Sequence, residues 1–257
     1  MRRSFVVGLM LLLSCPAVAT AQGMGTGFLD KVIRIDGTDH KYQVYLPTGY
    51  NVGEEWPVIL FLHGAGERGS DGTSQSAVGL GKAIREHPDR WPAIVVLPQV
   101  AEGSTWVGTH GQMAMAALDR TVAEYRGDRA RLYLTGLSMG GQGAWALGYQ
   151  HADRFAAIVA ICGFVGAGPG FPSFLPAGTQ DPFAETASKL RGVPIQVFHG
   201  GADRVVPAEQ SQRMTAALRA AGADVRYTEF PGVGHNSWDL AYARDELSTW
   251  LFRQRQR

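Results

Sequence analysis

The chain is poor in cysteine, in net charge and in long apolar runs. Of its 257 residues only Cys15 and Cys162 are cysteines, which leaves no room for a disulfide scaffold or a cysteine-rich metal site. Lys and Arg number 24 against 23 Asp and Glu, a formal net charge of +1. The basic excess of a nucleic-acid binder is therefore missing. No segment reaches the roughly 18 consecutive apolar residues of a membrane span, and no repeat with a period of roughly 20–50 residues is visible. What the chain does hold is 45% apolar residues, 33 glycines and 13 prolines, without a Gly-X-Y period. That composition belongs to a packed fold with many tight turns.

The first 21 residues read as an export signal. Arg2 and Arg3 precede the apolar run Phe5 to Leu13, and Ala19-Thr20-Ala21 offers the small residues that signal peptidase needs. Leu12-Leu13-Ser14-Cys15 also resembles a lipobox, but Pro16 directly follows it, and the Ala19-Thr20-Ala21 site is the better-placed cut. Cleavage after Ala21 makes the protein secreted or periplasmic, with Cys162 as its lone cysteine. No stable membrane anchor is expected unless Cys15 is lipidated.

The remainder alternates between strand-like and helix-like segments. Lys41 to Leu46 alternates and meets Pro47, the pattern of an early antiparallel strand. Val58 to Leu62 and Ala93 to Leu97 are short continuous apolar runs, as strands buried on both faces should be. Met115, Leu118, Val122 and Tyr125 fall at helical spacing, with Gly127 placed to stop that helix. Strands are predicted at Arg131–Thr135, Phe155–Ile161, Ile195–Phe198 and Val225–Phe230. Helices are predicted from about Gly140 to Gln150, from Pro207 to Ala221, and through Leu240, Ala243, Leu247 and Leu251. Such alternation implies one α/β domain over 22–257, with a mostly parallel central sheet and helices on both faces. A Gly- and Pro-rich stretch at about 164–182 breaks the pattern and is expected to be a short lid-like insertion.

Three motifs carry the chemistry. Gly136-Leu137-Ser138-Met139-Gly140-Gly141 follows a predicted strand and opens a predicted helix. A serine on so sharp a turn needs small flanking residues, and it points its hydroxyl toward the helix N-terminus, where developing negative charge is favoured. His199-Gly200-Gly201-Ala202-Asp203 places a carboxylate just beyond another strand, where open α/β sheets build their sites. Asp203 can orient a histidine there, or it can merely cap the helix at Pro207. Asp181, Asp224 and Asp239 are weaker rivals, since none directly follows a buried strand. Gly232-Val233-Gly234-His235-Asn236 supplies a loop-borne imidazole after the last strand. Of the other histidines, His63 and His199 end strands and are expected to hydrogen-bond their own turns. Ser138, Asp203 and His235 are thus the candidate catalytic residues. The backbone N–H groups of Ala65, after His63-Gly64, and of Met139 are the candidate oxyanion donors.

The segment from Tyr45 to Trp250 resembles the α/β-hydrolase superfamily, in its dienelactone-hydrolase-like, phospholipase/carboxylesterase-like or "predicted peptidase" branch. The matching stretches are Tyr45-Leu46-Pro47, Leu62 to Gly69, Gly136 to Gly141, His199 to Asp203 with Val206-Pro207, and Gly234-His235. The order Ser138, Asp203, His235 is that of the same superfamily. The resemblance implies a serine esterase working through an acyl-enzyme without metal or cofactor, on a small-molecule or oligomeric ester, with no nucleic-acid partner. A serine peptidase, a feruloyl or acetylxylan esterase, a polyester depolymerase and an acyltransferase share the same residues and stay open. Glu67, Trp106, Phe164, Phe171, Phe174 and Trp238 are candidate substrate-binding residues; Trp145 reads equally well as core packing.

Overall fold

The computed structural model describes residues 25–256, Pro169 apart; the export signal and Cys15 lie outside the described residues. The strands β1 (Gly27–Ile35), β2 (Thr38–Leu46), β3 (Trp56–Leu62), β4 (Ile94–Pro98), β5 (Gly127–Leu137), β6 (Ala157–Ile161), β7 (Ile195–Gly200) and β8 (Val225–Phe230) form a single sheet. Their order across it is β1-β2-β4-β3-β5-β6-β7-β8. β2 runs antiparallel to both neighbours, and all pairs from β4 across to β8 are parallel. This is the α/β-hydrolase architecture that the sequence led us to expect.

Packing explains why the central strands read as unbroken apolar runs. Val58, Leu60 and Leu62 face one layer of the core, whereas Ile59 and Phe61 face the other. Both faces of the pleat are covered, so neither set of alternating positions is polar. On one side lie α2 (Thr109–Glu124), α3 (Met139–Gln150), α4 (Pro182–Leu190) and α5 (Glu209–Ala220). On the other lie α1 (Gly79–Glu86), α6 (Trp238–Tyr242) and α7 (Asp245–Phe252). Each large aliphatic side chain so buried contributes about 1.5–3 kcal/mol. No helix of the described residues is long and apolar enough to cross a membrane.

Several local expectations are corrected. β1 was missed because it is an edge strand carrying Asp30, Lys31 and Arg34, without a clean apolar alternation. Its hairpin signal was nonetheless present: Asp36 and Gly37, at φ 48° and 80°, form the two-residue turn into β2. Gly127 does not stop α2. Arg126 takes the left-handed conformation at φ 53°, and Gly127 opens β5, where a Cβ would lie 2.5 Å from Val58 Cγ2. The last predicted helix is two, α6 and α7, divided at Ala243 and Arg244. α4 starts inside the end of the predicted insertion: Asp181 accepts the Phe183 and Ala184 amides, and Pro182 fills the first turn. Before it, the described residues among 164–181 form no helix or strand beyond one bridge between Gly168 and Phe171.

Candidate active site

Four parallel strands end at one edge of the sheet, and each delivers one element of the site there. β5 leads into Ser138, β3 into the turn at Ala65, β7 into Asp203 and β8 into His235. Ser138 sits at φ 54° and ψ −117°, a conformation that L-residues avoid, between the last residue of β5 and the first of α3. Close backbone contact holds it there. A Cβ at Gly140 would lie 1.9 Å from the Leu62 carbonyl oxygen, and one at Gly136 would lie 2.1 Å from that of Gly140. The Ser138 amide also donates to the Ile161 carbonyl at 2.9 Å.

The loops after β7 and β8 meet the serine. Ser138 Oγ–H donates to His235 Nε2 at 2.9 Å, and His235 Nδ1–H donates to Asp203 Oδ2 at 2.7 Å. The carboxylate can only accept, so Nδ1 carries the imidazole proton and Nε2 is free to take one from the serine. The Asp203 side chain is fully enclosed and that of His235 is 19% exposed. Burial alone would raise the Asp203 carboxyl. The His235 bond and the amides of Val206 and Val205 outweigh it and hold the group below its ordinary value. The turn-capping alternative for Asp203 is thus half true: Oδ1 accepts Val205 N–H and Val206 N–H, while Oδ2 faces His235.

Met139 opens α3, and first-turn amides of a helix lack intrahelical acceptors. Ala65 opens a 3-10 turn just past β3. These are the two amides that the sequence marks as candidate oxyanion donors.

The sequence profile of the dienelactone hydrolase family matches residues 102–239, from before the serine turn to past His235. The chain belongs to the dienelactone hydrolase family. Among curated relatives it is similar to a "Putative carboxymethylenebutenolidase" of Yersinia pestis, 28% identical over 152 residues, which are 59% of this chain and 47% of that one. It is also similar to "Acyl-protein thioesterase 1" of Gibberella zeae, 25% identical over 124 residues, or 48% of each chain. The matches thus span about half the length of these curated relatives. Among solved structures, a thermostable esterase superposes at a TM-score of 0.75 with 30% identity, covering 89% of this chain and 63% of that one. A ferulic acid esterase at TM-score 0.68 and 20% identity, covering 88% and 97%, shares the fold.

The substrate-side candidates divide. Trp106 is 1% exposed and donates its indole N–H to the His63 carbonyl at 2.9 Å, so it packs behind the β3 turn and walls no pocket. Phe174, 7% exposed and 6.0 Å from the Tyr149 ring, is likewise core, as is Trp145. Phe164 and Phe171 stay half-buried and meet edge to face at 5.3 Å. The Arg68 guanidinium lies 5.5 Å from the Phe171 ring and 3.1 Å from Met139 Sδ, and it donates to the Ser104 carbonyl. That chain of contacts ties the aromatic pair to the residue next to Ser138. Glu67 folds back toward Gly64, where a Cβ would lie 3.1 Å from its Oε2, and burial raises its carboxyl. Trp238 stands edge-on to His235 at 5.5 Å.

Two neighbours of the relay were missed as site residues. Cys162 follows β6 at φ 41°, with its Sγ among ligand atoms of Asp203 and His235 that all lie within 4.8 Å of one another. Among the described residues this is the one group with metal-binding spacing. As it stands, carboxylate and imidazole are bonded to each other, and burial pushes the thiol up to about 12. His199, read as a turn residue, does bond its own turn through the Val206 carbonyl, but it also reaches Asp203. Its signal was the four-residue spacing to that carboxylate.

Proposed function

We propose that the protein is an exported serine hydrolase that cleaves carboxylic esters. The observation that carries this reading is the continuous hydrogen-bonded chain from Ser138 through His235 to Asp203 on a strained strand-to-helix turn. In the first half-reaction His235 Nε2 takes the Ser138 proton as Oγ attacks the ester carbonyl. The oxyanion forms against the Ala65 and Met139 amides. Collapse breaks the bond to the alcohol oxygen, which leaves with the proton that His235 held. Water then enters, gives one proton to His235, and frees the acid and the serine. Asp203 keeps the imidazole in the required tautomer and steadies its charge while it is protonated. No step calls on a metal or organic cofactor. The half-buried Phe164–Phe171 pair and Trp238 favour esters with an apolar or aromatic acyl group. Family membership and likeness to esterase folds support the reaction class, and the charged start and Ala19-Thr20-Ala21 site support export.

The test is Ser138→Ala. Hydrolysis of a p-nitrophenyl ester should fall by at least about 10⁴-fold, with the denaturant midpoint close to that of the parent. Undiminished turnover in that variant would sink the assignment.

A further inference from the structure

Asp203 Oδ2 is held by two imidazoles, and only one of them faces the serine. His199 Nε2–H donates to it at 3.1 Å, beside the 2.7 Å bond from His235. A second contact fixes the His199 tautomer. Nε2 also lies 2.9 Å from the Val206 carbonyl, and a carbonyl, like a carboxylate, can only accept. The proton therefore sits on Nε2, and Nδ1 accepts the Ser211 hydroxyl at 2.7 Å. The His199 and Asp203 side chains are 0% exposed, and Ser211 on α5 is buried. The titratable groups facing this pair are His235, Glu229 across the β7–β8 register, and the Cys162 thiol beside Asp203. Burial above all keeps the His199 ring neutral, its protonation pushed below the ordinary range. A neutral, enclosed, doubly anchored imidazole on the same carboxylate oxygen as His235 is more than packing requires. A purely structural filler at this place could be apolar, whereas each polar atom of this ring has a partner.

We propose that His199 is a positioning residue: it aims Asp203 Oδ2 at His235 and, by sharing that oxygen's charge, sets how basic His235 is. This rests on the Ser138–His235–Asp203 reading above. An oxygen with one donor puts its whole charge on the His235 imidazolium and stabilises it. A second donor takes up part of that charge, so the carboxylate steadies the imidazolium that forms during turnover less strongly.

The experiment follows kcat and kcat/KM for p-nitrophenyl acetate between about pH 5 and 9. His199→Phe keeps a ring but removes both polar atoms. It should lower kcat by about 10- to 100-fold, the effect of one hydrogen bond to a charged group, with KM within about twofold. The acid limb of kcat/KM should move to higher pH, by about half a unit to one unit. His199→Gln returns an amide N–H near the lost Nε2–H and should bring the limb most of the way back. Each rate is normalised to the folded fraction measured at the same pH, because the fold itself loses stability toward acid; a normalised limb that stays in place, or moves to lower pH, while activity merely falls would overturn the proposal. If His199→Phe does not fold, Ser211→Ala loosens the same ring. It should move the limb in the same direction by less, together with the low-field resonance of the His235 Nδ1–H proton; an unchanged limb and resonance overturn the role. Ser138→Ala separates the two readings. Retained hydrolysis there removes the serine mechanism itself, whereas an inactive Ser138→Ala with an unshifted His199→Phe limb removes only the role of His199.

Discussion

Glycine does opposite work in the serine turn and in the segment over residues 164–181. At Gly136 and Gly140 an added Cβ would fall 2.1 Å and 1.9 Å from backbone oxygens, so hydrogen alone lets the chain pass. The reward is a serine fixed at a conformation it would not hold by itself. At Gly166, Gly168, Gly170 and Gly178 a Cβ would meet nothing within 4 Å. There glycine permits turns and touches little. The first region is determined by backbone packing and leaves no latitude for change. The second is anchored by Phe174 in the core and by Gln142 on α3, which donates to the Gly166 and Pro172 carbonyls, but its exposed glycines can change without a steric clash. Fixed chemistry with an adjustable approach to it is how one fold serves many substrates.

Paired alanine substitutions would break this contrast most directly. Gly140→Ala drives a methyl group into the Leu62 carbonyl and should cost about 3 kcal/mol or more, abolishing hydrolysis by displacing Ser138. Gly168→Ala has open space and an ordinary φ, and should stay within about 0.5 kcal/mol of the parent. Denaturant unfolding of the two variants reads both numbers. Comparable losses at the two sites would mean that the outer segment is as tightly determined as the turn.

Acid should find the fixed region next. His63 ends β3, with Nδ1–H donating to the Gly64 carbonyl at 2.6 Å and Nε2 accepting the Val100 amide at 3.1 Å. Protonating Nε2 would break the second bond. Burial holds the ring down to about 4 against an ordinary 6.5. The unfolded chain therefore takes the proton first. Stability is fully present above the unfolded value and is lost as pH falls from about 6.5 toward 4, by up to about 3 kcal/mol from this residue. His199, also depressed, adds to the same slope. Unfolding free energies between pH 7 and 4 should fall more steeply for the parent than for His63→Asn, which has no titrating ring there. Parallel slopes would show that His63 is not the sensitive group.

The legible parts of the molecule were those fixed by steric or periodic necessity. Val58–Leu62 could only be a strand covered on both faces, and Gly136 and Gly140 flanking Ser138 mark a turn where a larger residue has no space. The loop histidine and the carboxylate after β7 were legible because each follows a strand, which puts them at one sheet edge. What escaped depends on partners far away in the chain. Trp106 looked like a loop aromatic at a pocket, but the His63 carbonyl, 43 residues earlier, draws its indole inward. Phe174 sits in a stretch of glycine and proline, yet Tyr149 claims it. His199 was visible as a turn histidine, while its bond to Asp203 depends on the rotamer that Ser211 and Val206 enforce.

The mildest test asks whether the adjustable region adjusts anything. Phe171 is half-buried, edge-on to Phe164 and beneath the Arg68 guanidinium that reaches Met139. Truncating it to alanine removes apolar surface that is already partly wet, so the stability cost should be about 1 kcal/mol. If the ring lines the approach to Ser138, Phe171→Ala should raise KM for a bulky aryl-acyl ester by about 3- to 10-fold, since a few lost ring contacts are worth about 1 kcal/mol of binding. The acetyl ester, too short to reach the pair, should keep its kcat within about twofold. The ratio of the two substrates decides the matter, because a general loosening of the fold lowers both together. Equal losses would assign Phe171 to packing and leave Trp238, on the His235 side, as the residue that meets the acyl group.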